Sequence, residues 1–268
     1  MSDDEDVRLF YEAGLEAGRL AAGPGVLELA RTQDVLERRL PPPPARVLDV
    51  GGGTGLYARW LAGRGYEVHL VDLSPRHIEE ARAHAGPPLA RAEVGDARRL
   101  ADPDESADVV LLLGPLYHLV DRDDRVRALA EARRVVRPGG TVVAAAITRH
   151  ASLLAGLFHG LVDDPAFLPI LERDLREGQH RNPTSNLDYF TTAFFHLPAE
   201  LGDEARDAGL AVEGLLAVEG PAWMMPDLEA RWGDPPRRRQ LMDLLRRIEA
   251  DPAVLGMSAH LLLVARRA

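Results

Sequence analysis

Short apolar runs alternating with helical stretches set the rhythm of this chain between residues 46 and 149. The runs fall at 46–50, 67–72, 90–95, 108–113 and 141–148, each rich in Val, Leu and Ala. Largely unbroken apolar runs are the mark of strands covered on both faces, because a strand with one wet face alternates. Helical periodicity lies between them. One helix is predicted from about Arg122 to Arg137, with Val126, Leu129, Ala132 and Val136 on one face. Asp121, Asp123 and Asp124 at its start, and Arg133, Arg134 and Arg137 near its end, suit the helix dipole. Pro138-Gly139-Gly140 predicts its stop. Strand–helix alternation of this kind predicts a parallel sheet with crossover helices.

The flanking segments follow other patterns. Residues 7–40 read as helical with a break at Gly23-Pro24-Gly25, after which Val26, Leu29, Leu36 and Leu40 can share a face. Pro41-Pro42-Pro43-Pro44 ends the segment, since proline lacks the backbone donor and clashes with the preceding turn. Beyond the fifth strand, residues 150–187 form an insertion. Leu153, Leu154, Leu157, Phe158 and Leu161 suggest one helix, and Ile170, Leu171 and Leu175 another. A strand is expected at 188–196, then a helix at 198–208 and a strand at 211–219. A second insertion, 221–256, carries a helix with Leu241, Leu244, Leu245 and Ile248 in register, and the final strand is 259–265.

Composition narrows the chemistry. The 268 residues suit one large domain, and 46% apolar content supplies a full core. There is no Cys, which excludes disulfides, thiolate metal sites and cysteine nucleophiles. All 32 basic residues are Arg, so no lysine Schiff base or phosphate-loop lysine operates here. The net charge of −10 argues against binding nucleic acid, which needs cationic surface to release counterions. No apolar run approaches the roughly 20 residues of a membrane span. Residues 1–6, Met-Ser-Asp-Asp-Glu-Asp, are acidic where a signal peptide would be basic. A cytoplasmic protein without a membrane partner is expected; its oligomeric state is open.

The most informative stretch is Val47-Leu48-Asp49-Val50-Gly51-Gly52-Gly53-Thr54-Gly55. An apolar run ends in an acid, glycines follow at alternate positions, and Leu56 to Leu61 start a helix. Such a turn presents backbone N–H groups at a positive helix end. A dinucleotide site wants G-x-G-x-x-G, but the third position here is Leu56. The spacing D-x-G-x-G-x-G instead resembles motif I of the class I S-adenosylmethionine-dependent methyltransferases.

Further features similar to that family cover about 47–149. Asp72 ends the second strand, followed by Leu73 and Ser74. In the family an acid here accepts from both ribose hydroxyls of the cofactor, a role that suits an acceptor-only carboxylate. Asp96 in Val94-Gly95-Asp96-Ala97 matches the position that accepts from the adenine amine, with the neighbouring backbone N–H on a ring nitrogen. Leu113 ends the fourth strand, where the family passes backbone beside the methionine half. Gly114-Pro115-Leu116-Tyr117-His118 stands where nucleobase-amine methylating members carry Asn or Asp before Pro-Pro-Tyr or Pro-Pro-Phe. Gly114 replaces the group that would accept from a planar amine. In the N-terminal helices, Tyr11, Arg19 and Arg31 could serve a lid, with an arginine fork on the methionine carboxylate.

The resemblance implies a doubly wound, mostly parallel seven-stranded α/β sheet (Rossmann-like), its last strand antiparallel. It implies one domain over 1–268: an N-terminal helical lid at 1–44, a cofactor-binding half at 45–149, a cap insertion at 150–187, and the rest of the sheet at 188–268 with the insertion 221–256. The implied activity is transfer of a methyl group from S-adenosylmethionine to a small-molecule acceptor. The expected cofactor set is Asp49, Gly51, Gly53, Gly55, Asp72, Leu73, Asp96, Ala97, Leu113, Tyr11, Arg19 and Arg31. Methyl transfer needs alignment and sometimes a base, but no metal. His118, just past the fourth strand, is the candidate base. The alternatives are a modified tRNA base or protein side chain as acceptor, a nicotinamide-dependent oxidoreductase, which Leu56 opposes, and a non-catalytic cofactor-binding protein.

Overall fold

In the computed structural model the strands form where the apolar runs fall. The structure describes Val7, Phe10 and residues 18–184 and 186–268, with Leu187 as backbone alone. The first long helix described, α1 (Gly25–Arg39), buries Leu27, Arg31, Asp34, Val35 and Leu36. This is not the expected stripe of Val26, Leu29, Leu36 and Leu40. The helix is rotated because Arg31 and Asp34 go inside as an ion pair of 2.8 Å.

There follow β1 (Arg46–Val50), α2 (Leu56–Ala62), β2 (Glu67–Asp72), α3 (Pro75–Ala83), β3 (Arg91–Val94), β4 (Ala107–Leu112), α4 (Arg122–Val135) and β5 (Val136–Thr148). The first insertion holds α5 (Ala151–His159), α6 (Leu168–Glu177) and a short strand, β6 (Gln179–His180), and β7 (Ala193–His196) follows over the second half of the strand expected at 188–196. Next come α7 (Pro198–Asp207) and β8 (Ala211–Ala217). The second insertion holds α8 (Leu228–Gly233), α9 (Pro235–Ile248) and α10 (Pro252–Leu255), before β9 (His260–Arg266). Among the described residues, no helix is long and apolar enough to cross a membrane.

Two details depart from expectation. Helix α4 buries Leu129 and Ala132 as expected, but Arg125 goes inside where Val126 was expected, and Val136 is buried as the first residue of β5. Arg125 pulls the face round, since its buried guanidinium forks onto Glu204 at 2.7 Å and takes the Leu119 and Val120 carbonyls. Strand β5 also starts five residues early. Val136 already pairs with Ala107, and Gly139 N–H donates to the Arg267 carbonyl while Arg267 N–H donates to that of Gly140. Pro138 to Gly140 is therefore carried within the strand as a kink, with Gly139 at φ +75°, and the helix ends before it.

The chain divides into two compact units. One comprises Glu37–Ala145, Glu200–Gly214 and Leu263–Ala268. Its strands run β3-β2-β1-β4-β5, all parallel, with Val47 opposite Val68 on one side and Val109 on the other. The chain winds one way from β1 to β3 and returns to start again at β4. In such sheets ligands bind beyond the carboxyl ends of the strands where the winding reverses, here β1 and β4. The other unit comprises the chain up to Leu36, Ala146–Ala199 and Leu215–Leu262. In it Ile147 and Thr148 of β5 pair in parallel with Phe195 and His196 of β7, and β6 pairs antiparallel to β7. Strand β9 pairs with both β5 and β8. Arg267 bonds Gly140 and Ala259 bonds Thr148, so β9 runs antiparallel to β5. The mostly parallel, doubly wound sheet with an antiparallel last strand is present.

Candidate functional site

The end of β1 turns sharply because its glycines allow it. Gly51 has φ +69° and Gly53 has φ +57°, both in the left-handed region that side chains avoid. A Cβ on Gly51 would also stand 2.7 Å from the Pro115 ring. The contact is mutual: a Cβ on Gly114 would come 2.8 Å from the Gly51 carbonyl oxygen. Two loops, one after β1 and one after β4, thus meet backbone to backbone at the switch point. Gly114 has no room for a side chain there. The turn ends at Gly55, the cap of α2.

Asp72 closes β2 beside this turn. Its Oδ2 accepts from Gly53 N–H at 2.8 Å, and its Oδ1 accepts from Ser74 N–H at 2.9 Å and meets His77 Nδ1 at 3.0 Å. Ser74 caps α3 with its side chain, and Pro75 occupies the first helical position. The cap fixes residues 74–77 against the strand end. The Asp72 carboxylate raises the pKa of His77 by hydrogen bonding, against the opposing effect of burial. His77 was not among the expected site residues. Its signal in the sequence is the Ser-Pro helix start, which puts residue 77 in the first turn next to the strand's terminal acid.

Asp49 lies beneath the turn, fully buried. Neither of its oxygens has a hydrogen-bond partner among the described residues. Burial, and next the negative charge of Asp72, push its carboxyl up to about 7. The Ala58 N–H favours the charged form without meeting hydrogen-bond geometry, and offsets only part of this. A buried acid left unsatisfied below a glycine turn is what a site built for a polar ligand shows.

The remaining expected residues of this unit divide. Leu73 is exposed, Leu113 half-buried and Ala97 buried. Asp96 is held by Arg98, whose Nε and Nη2 fork onto it at 3.0 and 2.7 Å, and Arg98 reaches on to Asp124. Burial would raise the Asp96 carboxyl, but the Arg98 contacts outweigh it and hold it low. His118 ends a short turn, Pro115–His118, its ring edge-on to Tyr117 at 4.8 Å. Pro115 against Gly51 sets that turn beside the glycines.

The arginines expected on the cofactor belong to the other unit. Arg31 is wholly buried, and its guanidinium is occupied by the Val218 carbonyl, Asp34 and Glu249. The guanidinium is thus committed to partners within this unit, which argues against the expected role on the cofactor. Arg19 forks onto the two carboxylate oxygens of Glu28. Tyr11 lies outside the described residues.

The chain has clear relatives. A family described as a methyltransferase domain matches residues 47–140. The ubiquinone biosynthesis O-methyltransferase of Thiobacillus denitrificans is 35% identical over 188 residues, which are 68% of this chain and 72% of that protein. The solved structure of an S-adenosylmethionine-dependent methyltransferase from Mesorhizobium loti has 22% identity and a TM-score of 0.60, covering 90% of this chain and 100% of its own. A [4+2]-cyclase shares the fold at 18% identity and TM-score 0.55, over 88% of this chain and 80% of its own, so architecture alone does not name the reaction.

Proposed function

The chain belongs to the class I S-adenosylmethionine-dependent methyltransferases, and we propose that the acceptor of its methyl group is a small molecule presenting a hydroxyl. The nicotinamide reading falls with that membership. The observation that carries the choice of acceptor is Gly114. Its Cβ position is filled by the Gly51 carbonyl, so no amide or acid can stand there to accept from a planar nucleobase amine. The net charge of −10 points away from nucleic acid as well. Relatives named O-methyltransferases make hydroxyls the first acceptors to test.

The bound cofactor supplies a methyl group already activated by sulfonium charge. The protein's part is to hold, align and deprotonate. Asp72 at the end of β2 offers carboxylate oxygens to ribose hydroxyls, and the left-handed glycines let ligand atoms lie directly on the Gly51–Gly55 backbone. Asp96, Ala97, Leu73 and Leu113 complete our proposed cofactor set in this unit. Our candidate for taking the acceptor's proton is His118, in the turn after β4, a step that contributes about 10²–10⁴-fold when the proton must leave in the transition state.

The test is a product screen with labelled cofactor against phenols and other hydroxyl compounds, amines, and bulk tRNA. Label should enter the hydroxyl compounds. Label confined to amines, or to tRNA at moderate salt, overturns the acceptor proposal. In the same assay His118→Ala should lose the acidic limb of the pH–rate profile; an unchanged profile removes His118 from the mechanism.

A further inference from the structure

The hydrogen bonds around Asp72 leave too few acceptor positions for the ligand proposed above. An ionised carboxylate offers roughly four lone-pair positions. Three are taken: by Gly53 N–H, by Ser74 N–H and by His77 Nδ1. Two adjacent ribose hydroxyls ask for two. One present partner must therefore yield. The two N–H groups are backbone, one fixed by the glycine turn and the other by the α3 cap. His77 is a side chain in the first turn of α3, 15% exposed, and can rotate about its own bonds.

Resting on the cofactor reading, we propose that His77 is the exchangeable partner of Asp72: its imidazole holds the carboxylate in the absence of ligand and gives up that position when the ribose hydroxyls dock. No covalent bond changes. The proton that made the imidazole an imidazolium returns to water, because the anion that favoured it now serves the hydroxyls. His77 is thus a positioning residue that acts through Asp72.

The charged groups around His77 give the direction of the pH effect. Asp72, and secondarily Glu80 on the same helix, favour its protonation, while burial and Arg76 oppose it, and the balance is a raised pKa. Asp49 stands behind Asp72 and titrates near 7. If docking removes the Asp72 hydrogen bond, the His77 pKa is higher without ligand than with it. Protons then compete with the cofactor. Affinity is constant above the ligand-free pKa and falls about ten-fold per pH unit below it, until the ligand-bound pKa is reached.

The probe is S-adenosylhomocysteine, which carries the ribose without the sulfonium charge. Imidazole NMR of the full chain, with the His77 signal assigned through His77→Gln, reads this residue directly and separates it from Asp49. Saturation with the probe should lower the His77 pKa, and His77→Gln should flatten most of the acid-side fall in affinity measured by calorimetry. Binding with a His77 pKa that stays fixed or rises overturns the inference and leaves the cofactor reading standing. No binding at any pH overturns both.

Discussion

The charges buried around Arg31 and the acid buried beneath the glycine turn are treated in opposite ways. Arg31 is enclosed by two carboxylates and a carbonyl, and Asp34 is further gripped by the Arg246 fork. Nearby, buried Glu219 takes the Ser258 hydroxyl, the His260 N–H and His260 Nδ1. Each of these charges is answered from within. Beneath the glycine turn, Asp49 is equally buried and neither of its oxygens is answered among the described residues. A satisfied buried charge serves the fold, since removing one partner strands the other. An unsatisfied one costs stability and persists where a ligand uses it.

The largest test of this contrast removes Arg31. Arg31→Met takes from buried Asp34 and Glu249 the guanidinium they share, so stability should fall by about 3–5 kcal/mol, read as a lower melting temperature. Affinity for S-adenosylhomocysteine in the folded protein should stay within about two-fold. Weakened binding with an unchanged melting temperature would return Arg31 to the cofactor set.

Asp49 should behave in the reverse sense. Its folded pKa of about 7 stands above the ordinary aspartate value of 3.8. The stability it contributes is therefore fully present below about pH 4 and is lost as pH rises to about 7. At about 1.36 kcal/mol per pKa unit, this group costs on the order of 2–3 kcal/mol between pH 5 and pH 8. Asp49→Asn should remove that slope in urea unfolding at the two pH values. Parallel curves for variant and wild type would mean that Asp49 is ionised and answered after all.

Asp72 links the two kinds of charge, being paired inside and offered outside. A hydrogen bond to a charged group contributes about 1.5–3 kcal/mol, so Asp72→Ala should weaken S-adenosylhomocysteine binding ten-fold or more. The variant also removes the charge that helps to raise Asp49, whose titration should move down. Unchanged affinity in a folded variant would separate Asp72 from the cofactor.

What was legible in the sequence was what is local. Strands β1 and β2 begin and end where the apolar runs do, because both strands are buried and end in a glycine turn and a helix cap. The Gly51–Gly55 turn and the acid ending β2 could be read for the same reason: spacing over nine residues already implies their backbone. Arg31 could not be read. On a helical wheel it belongs to a solvated face, and the partners that complete its burial, Glu249 and the Val218 carbonyl, lie 218 and 187 residues away. The same holds for Arg125, drawn inside by Glu204 from 79 residues on. Pro138-Gly139-Gly140 reads locally as a helix stop and turn, yet pairing with Arg267 extends it into β5. Local pattern predicted the elements, and distant charge partners decided which faces turned inward.

The smallest expected effect tests whether the ligand-facing surface is recognisable by what it leaves uncovered. Leu73 is 45% exposed directly after Asp72, and Leu56 and Val94 in the same unit are exposed too. A leucine in water contributes little to folding, so Leu73→Ala should change unfolding free energy by no more than about 0.5 kcal/mol. If the cofactor's flat adenine covers it, truncation removes apolar area that is buried only in the complex. At roughly 25 cal/mol per Å², half a leucine side chain is worth about 1 kcal/mol, or about five-fold in affinity. Calorimetry with S-adenosylhomocysteine, set beside urea unfolding of the same variant, separates the two quantities. Five-fold weaker binding at unchanged stability places the ring on Leu73. Lost stability with unchanged binding would make Leu73 a residue of the fold, and would move the adenine elsewhere on the ends of these strands.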